Sequence, residues 1–331
     1  MICKNCVLTD AFPHIRFSDD GLCSYCSSFD PERWRQQKET YLRRFEEVIK
    51  EWQGRRPIDC LLAYSGGKDS SYTLYLLKEE FGLNVMALTM DNGFVSPRAM
   101  ENMARVTEAL DVDHLIVKPR FGLLKRIFAA SATKDLYPPR ALDRASSICT
   151  SCISLVKGIA LKTAVEKGIP IVAFGWSPGQ APVQASVMKV NPSFIRRTQQ
   201  VTKEALRKVA GDEIEPYFLE EHHLEEGDHL PYFVHPLAFL DYDEGAILEK
   251  ITSFGWRKPD DTDPNSTNCL LNAFANKVHR ERFGFHPYAF EIAGLVRMGV
   301  MSREEGLQKL SQPEDPELIK SVKERLGLDE A

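Results

Sequence analysis

The chain has 331 residues, 43% hydrophobic and 27% charged, with a net charge of −5. That is enough for one large or two moderate domains with substantial cores, and the acidic balance argues against a chain dedicated to nucleic acid. The longest apolar runs, such as Ile169 to Phe174, fall far short of a membrane span, and the N-terminus lacks a signal peptide's apolar core, so a cytoplasmic protein with no membrane partner is expected.

In chain order, the first signal is Cys3-x-x-Cys6 and Cys23-x-x-Cys26, sixteen residues apart, around an expected strand at His14 to Phe17 and a turn at Ser18 to Gly21. Two CxxC knuckles make a tetrahedral thiolate cage, which folds a segment too small to have a core. Structural zinc on Cys3, Cys6, Cys23 and Cys26 is the leading reading, ahead of an iron–sulfur cluster. Residues 1–30 thus form a metal knuckle with a folding or docking role. Pro31 to Arg56 reads as a charged amphipathic helix with an apolar stripe from Trp34 to Trp52, making 31–57 a linker.

The apolar run Cys60 to Tyr64 leads into Ser65-Gly66-Gly67-Lys68-Asp69-Ser70, a glycine turn followed by helix-compatible residues. A strand, glycine turn and helix start aim backbone N–H groups and the positive helix end at one spot, an anion cradle most often used for phosphate. The spacing is not that of a Walker A loop. Strands then follow at Asn84 to Met90, His114 to Val117, Ile169 to Phe174 and Val234 to Phe239. Between them lie helices from Tyr72 to Phe81, from the Ser96-Pro97 cap through Leu110, and over 153–167, closed by Gly168. The alternation implies an α/β fold with a doubly wound parallel sheet over residues 58–255, ligand lying at the C-terminal strand ends. Asp91, directly after the second strand, stands where such folds hold nucleotide, and serves equally well as a turn residue.

Residues 118–144 carry seven Lys/Arg against two Asp, suited to a phosphorylated substrate. Residues 211–229 carry eight Asp/Glu and no Lys/Arg, read as a solvated loop. From about Trp256 the chain reads as a C-terminal helical region, 256–331, with a capping box at Ser302 and Glu305 and a helix from Pro316 ending near Gly327.

A second constellation is Cys149-Thr-Ser-Cys152, at the mouth of the helix 153–167, with Cys269 in the polar loop from Asp261. The helix terminus is expected to lower thiol pKa there. Three such thiolates could hold three irons of a [4Fe–4S] cluster, leaving the fourth open. A second zinc site, a pair cycling through a disulfide, and separate buried thiols remain alternatives.

From Tyr64 to Phe239 the order of features resembles the ATP-dependent tRNA thiolation enzymes of the PP-loop ATP pyrophosphatase superfamily, on Ser65 to Ser70, Cys149 to Gly158, Ile171 to Gly175, His235-Pro-Leu237 and Cys269. The resemblance implies cleavage of ATP to AMP and pyrophosphate, with Mg²⁺. Tyr64, Ser65, Gly66, Gly67, Lys68, Asp69 and Ser70, with Asp91 and Gly175, would bind ATP, Lys68 offsetting charge and Asp69 placing the metal ion. It also implies a [4Fe–4S] cluster on Cys149, Cys152 and Cys269 that delivers sulfur to an adenylated carbonyl. Where these enzymes carry Gly-His-Asn/His-x-Asp-Asp, this chain has Gly175-Trp-Ser-Pro-Gly-Gln180 and no acidic pair.

Both ends of the chain resemble another branch, the N-acetyl sugar amidotransferases of bacterial surface-polysaccharide synthesis, at Cys3 to Cys26, Leu240 to Asp243, Phe254-Gly-Trp256 and Phe283 to Glu305. That branch uses ammonia from a partner glutaminase and lacks the three cysteines. The expected function is therefore an ATP-dependent sulfurtransferase, with amidotransfer to an N-acetyl nucleotide sugar as the alternative. The substrate is tRNA or a small molecule, the partner a sulfur donor or glutaminase, and homodimerisation stays open.

Overall fold

The computed structural model describes residues 1–225, 229–263 and 266–328. Its centre is a six-stranded sheet of β1 (Cys60–Ala63), β2 (Val85–Met90), β3 (Asp113–Val117), β4 (Ile171–Phe174), β5 (Val187–Lys189) and β6 (Tyr232–Val234), in the order β3-β2-β1-β4-β6-β5. Every neighbouring pair is parallel except β5 with β6. The chain builds outward from β1 to β3, then returns to β1's other side with β4, so the sheet's switch point lies between β1 and β4.

The central strands are apolar throughout because both faces are covered. Leu61, Leu88, Val172 and Phe174 face one core, shared with α5 (Phe121–Thr133), α6 (Ser147–Lys167), α7 (Pro192–Ala210), α9 (Leu271–Phe283) and α12 (Pro316–Leu326). Cys60, Leu62, Ala87, Ile171 and Ala173 alternate to the other face. There they meet α2 (Pro31–Trp52), α3 (Lys68–Tyr75), α4 (Pro97–Ala109) and α8 (Glu244–Ser253). Between α9 and α12 the chain forms α10 (Ala289–Arg297) and α11 (Arg303–Ser311), the latter opened by the expected Ser302–Glu305 capping box.

Several sequence expectations are corrected. The helix after the glycine turn starts at Lys68, not Tyr72, and runs on through a π-helical stretch, Leu76–Glu80. The strand expected over 234–239 ends at Val234, because Pro236 has no N–H for a ladder and opens a 3-10 turn instead. α6 starts at Ser147, capped by the Ser146 hydroxyl, so Cys149 and Cys152 lie within its first two turns. By length and composition α6 could also cross a membrane, contrary to the expectation from apolar runs. Here it packs against β1, β2 and β4 and against α5, α7 and α9, as a core helix does.

The acidic stretch is not a solvated loop where it is described; residues 226–228 lie outside the described residues. Glu213 pairs with Arg120 (2.9 Å) and Arg126, and Lys203 pairs with Glu215 (2.5 Å). Part of the basic stretch is thereby neutralised, and of its seven cations Arg144 lines the central cavity.

At the N-terminus the strand expected over 14–17 reduces to a single bridge, Phe17 to Cys23, beside another at Ile2 and Thr9; between them the chain turns through His14 at φ 58°. This knuckle, with the one-turn helix α1 (Ser24–Ser27), shares its core with the C-terminal helices. Val7, Leu8 and Phe12 pack with Phe285, Ala289 and Ile292, and Phe12 stacks on Phe290 at 5.6 Å while meeting Phe285 edge-on at 5.2 Å. The Arg303 guanidinium donates to the carbonyls of Cys3 (3.0 Å) and Cys6 (3.2 Å). Phe12→Ala is expected to cost about 3–5 kcal/mol, read by urea unfolding as a lower midpoint, because the cavity it leaves has aromatic walls fixed from both ends of the chain.

Candidate active site

The turn after β1 becomes a cradle because its backbone is held on three sides. Gly66 sits at φ +73°, where a side chain would strike Met103 and the Ala99 carbonyl. The Trp256 indole donates to the Gly66 carbonyl (3.0 Å, buried), tying the turn to the segment that follows α8. Gly175, following β4, lies so close that a Cβ there would stand 2.4 Å from Ser70 Cα. Within the turn, the Ser65 and Ser70 hydroxyls meet at 3.0 Å, and Tyr64 reaches Ser71 at 3.1 Å. The Lys68 N–H at the start of α3 donates to Thr267 Oγ1 (3.2 Å), an oxygen held where an anion's oxygen would be bound.

Lys68 Nζ donates to Asp69 (2.8 Å) and to Tyr242 OH, and Tyr242 itself donates to Asp69 (2.8 Å). Burial works against the lysine's charge, but Asp69 and then Glu244 hold its pKa above the usual value. Burial, followed by Asp69, pushes the Tyr242 phenol far up, so it remains a proton donor. Tyr242 and Trp256 lie in stretches that resemble the sugar amidotransferases, with no site role expected of either; their nearness to Lys68 and Gly66 is made by the fold.

The cradle opens into a cavity of about 440 Å³ whose wall also carries Cys149, Cys152 and Cys269. Cys269 is brought there by a bridge to Val95, with Ser96 N donating to the Asn268 carbonyl (2.9 Å) and Leu270 N to that of Phe94 (2.9 Å). One amide joins two of the thiols: Asn92 Nδ2 lies 3.4 Å from Cys152 Sγ and 3.9 Å from Cys269 Sγ. Cys149 lines the same cavity wall as these two. The expected lowering of thiol pKa is overturned. Burial pushes Cys149 up to about 11, and burial with Cys269 pushes Cys152 up to about 12, outweighing the helix terminus.

Asp91 does not line the cavity. Its carboxylate accepts from the Gly93 N–H (2.9 Å) and pairs with Lys118 (2.8 Å), an ordinary turn geometry, while Asn92 points inward. Two further residues were missed as well. Lys157 lines the cavity with its ammonium 4.4 Å from the Trp176 ring, and burial pushes its pKa down to about 8. Glu291 of α10 enters from the C-terminal region, accepting from Ser177 Oγ at 2.6 Å. His235 stacks on Trp176 at 4.6 Å, and burial with the nearby Lys157 pushes its pKa down to about 3.

Away from the cavity, the sulfur atoms of Cys3, Cys6, Cys23 and Cys26 all lie within 4.8 Å of one another, with Cys3–Cys26 at 3.8 Å and Cys6–Cys23 at 3.7 Å. A tetrahedron of thiolates about 2.3 Å from one metal ion has edges of about 3.8 Å. These four residues are therefore close enough together to hold a metal ion.

The fold and cavity together describe an α/β protein with an anion cradle at its switch point and three thiols beside it. No protein-family model matches the chain. It is 26% identical to an uncharacterized protein, MJ1599, of Methanocaldococcus jannaschii, with 99% of each chain covered. Among solved structures it is similar to the U34-tRNA thiolase NcsA from Methanococcus maripaludis, solved with its [4Fe-4S] cluster, at 16% identity over 93% of this chain and 88% of that one, TM-score 0.37. It is also similar to NMN synthetase from Francisella tularensis, at 13% identity over 87% and 99% of the two chains, TM-score 0.38. A third likeness is to the NH3-dependent NAD synthetase from Campylobacter jejuni, at 16% identity over 89% and 93%, TM-score 0.34. At such TM-scores these likenesses carry no argument about the site.

The close approach of Gly175 to Ser70 gives the cradle a sharp test. Gly175→Ala must push the turn away from β4, and MgATP affinity measured by equilibrium dialysis is expected to fall at least about tenfold, with a stability loss of about 1–3 kcal/mol in urea unfolding.

Proposed function

We propose that this chain is an ATP-dependent sulfurtransferase that adenylates a substrate carbonyl oxygen, releases pyrophosphate, and replaces that oxygen with sulfur. The observation that carries this reading is that the glycine cradle and the three cysteines Cys149, Cys152 and Cys269 line one cavity. A cradle alone serves any nucleotide; a nucleophile-bearing wall facing it is what a two-stage transfer needs.

Ser65 to Ser70 would take the leaving pyrophosphate, the N–H groups at the start of α3 and the Lys68 ammonium offsetting its charge. Asp69, held by Lys68 and Tyr242, would help place Mg²⁺. Gly175 would let the loop after β4 lie flat on the cradle. Activation is required because oxide is a poor leaving group and AMP a good one. Cys149, Cys152 and Cys269 would hold a [4Fe–4S] cluster as a three-thiolate donor set, and when bound such a cluster would supply an open iron for sulfide. Asn92, donating toward Cys152 and Cys269, would stabilise their thiolate forms there. The four-cysteine knuckle would hold zinc, with a structural role in docking the C-terminal helices.

A second reading, nitrogen transfer to an N-acetyl nucleotide sugar, is favoured by one observation. Pro287, Tyr288, Glu291 and Met301, from the stretch that resembles the sugar amidotransferases, form part of the same cavity wall. On that reading ammonia replaces sulfide and the three thiols are structural. On either reading tRNA and a small nucleotide sugar compete as substrates.

Metal and sulfide analysis of anaerobically purified protein separates the two. The expected result is about four irons per chain together with one zinc, with the triple Cys149, Cys152 and Cys269→Ala variant keeping zinc and losing iron. A colourless protein holding zinc alone, even after reconstitution, would remove the sulfur reading. Full ATP-to-AMP turnover by the triple variant with ammonia would establish the nitrogen reading in its place.

A further inference from the structure

The loop after β4 ends in Trp176-Ser-Pro-Gly-Gln180, and the cavity's acidic group arrives from elsewhere. Gly179 packs so tightly on α10 that a Cβ there would stand 2.3 Å from the Glu291 carbonyl oxygen. The same contact sets the Glu291 side chain against the loop, where Ser177 Oγ donates to it at 2.6 Å and Gln180 turns back to accept from Ser177 N at 3.1 Å. Glu291 lines the cavity with the cradle residues and the three cysteines, and among the described residues it forms no ion pair. Its charged and titratable neighbours are Lys68 and Asp69 of α3, Tyr242 before α8, and Tyr288 one turn back.

We propose that Glu291 is a catalytic residue of this cavity, its carboxylate accepting the N–H proton of an amide-type substrate as the amide oxygen bonds to the α-phosphorus of ATP. This rests on the adenylation read for the cavity, and deepens it by naming the substrate class as a neutral amide or lactam. The bookkeeping is complete without any further reagent. The amide oxygen forms a bond to the α-phosphorus, and the α–β bridging P–O bond breaks, its electron pair leaving on pyrophosphate. The N–H pair becomes the C=N bond, and the proton rests on Glu291. A carboxylate substrate would need no such base, since its oxygen is already anionic. A neutral amide without one would be left as an O-adenylated cation inside a buried cavity, where unpaired charge is costly. The reaction therefore calls for a proton acceptor that is itself uncommitted to a cation, and Glu291 is placed as one.

The electrostatics of the position agree with the role. Burial pushes the Glu291 carboxyl up to about 7; the Ser177 hydrogen bond works downward, Asp69 upward and Lys68 downward. A base poised near neutrality combines available carboxylate with useful proton affinity. The carboxylate is the active form, so the rate falls as pH drops through about 7.

The test uses two readouts on the anaerobically prepared full chain. In isotope-edited infrared titration between about pH 5 and 9, a carboxylic-acid band that disappears near neutrality is expected in the wild type and missing in Glu291→Gln. Identical spectra for the two proteins would overturn the proposal. In pyrophosphate release, with bulk tRNA and UDP-N-acetylglucosamine as probes, Glu291→Gln is expected to fall about 100-fold with MgATP affinity within about twofold. Glu291→Gln keeps the Ser177 hydrogen bond, so a purely structural role predicts little change; Glu291→Asp should fall between. The wild-type rate should drop about tenfold per pH unit on the acid side, and the Gln variant should lose that limb. A Gln variant with wild-type rate and the same acid limb would overturn the proposal. Should the wild type release no pyrophosphate with either probe, the adenylation reading falls, and the infrared band alone then decides whether Glu291 takes up a proton at neutrality.

Discussion

The site depends on one steric fact, the contact of two backbones at the sheet's switch point. β1 and β4 are neighbours in register, so the turns that leave them run side by side, and Gly175 rests on the first turn of α3 with no side chain between. Everything that follows is set from there. The helix start can point its N–H groups across the strand ends because Gly175 puts no side chain over it, the Lys68 N–H meeting only the Thr267 hydroxyl, and the cavity has depth because the loop after β4 is drawn down onto the cradle. Trp256 fixes the same turn from the other side through the Gly66 carbonyl. The cradle is thus clamped between β4 and the residue that begins the C-terminal region.

That region is part of the site's wall. α9 and α12 share a core with α5 and α6, and α10 and α11 share another with the four-cysteine knuckle. Arg303 joins the two chain ends by donating to the Cys3 and Cys6 carbonyls. A segment of about 30 residues cannot bury enough apolar surface to order itself, so a metal ion at the knuckle would stabilise that core outright. Through Phe12, Tyr25 and Phe290 the order of the knuckle reaches α10, and α10 places Tyr288 and Glu291 in the cavity. The knuckle is therefore mechanically continuous with the cavity although it lies outside it.

Much of the architecture was legible in the sequence, because the central strands are buried on both faces and read as apolar runs between helical periods. β5 and α7 were not, since a three-residue edge strand and a helix without a strong chemical motif leave little to detect. The cradle was legible in Ser65 to Ser70 because its chemistry is local. Asp91 and Asn92 are hard to tell apart in sequence for a related reason: adjacent residues in a turn point in opposite directions, and only the backbone decides which enters the cavity. The thiol pKa values were misjudged because a helix terminus can be read from sequence and desolvation cannot. Glu291, 222 residues beyond Asp69 in numbering, lies in the stretch that resembles the sugar amidotransferases but stands in no chemical motif; packing against Gly179 brings α10 to the cavity there.

Desolvation then explains why the cavity's groups depart from their ordinary ionisation in one consistent direction, toward neutrality. Cys149 and Cys152 are pushed up, Lys157 and His235 down, and Glu291 up, each with burial as the first cause. The cradle's own lysine goes the other way and stays charged, because Asp69 and Glu244 stand beside it. The result is a site with one region fitted to anionic phosphates and another that resists charge. On the adenylation proposed for this cavity, its desolvated thiol wall would also hold little water to attack the activated carbonyl. The same wall makes any charge that does enter strongly felt, so a nucleophile, a proton acceptor and a phosphate clamp need only be a few residues, provided the backbone at Gly175 and Gly179 holds them against one another.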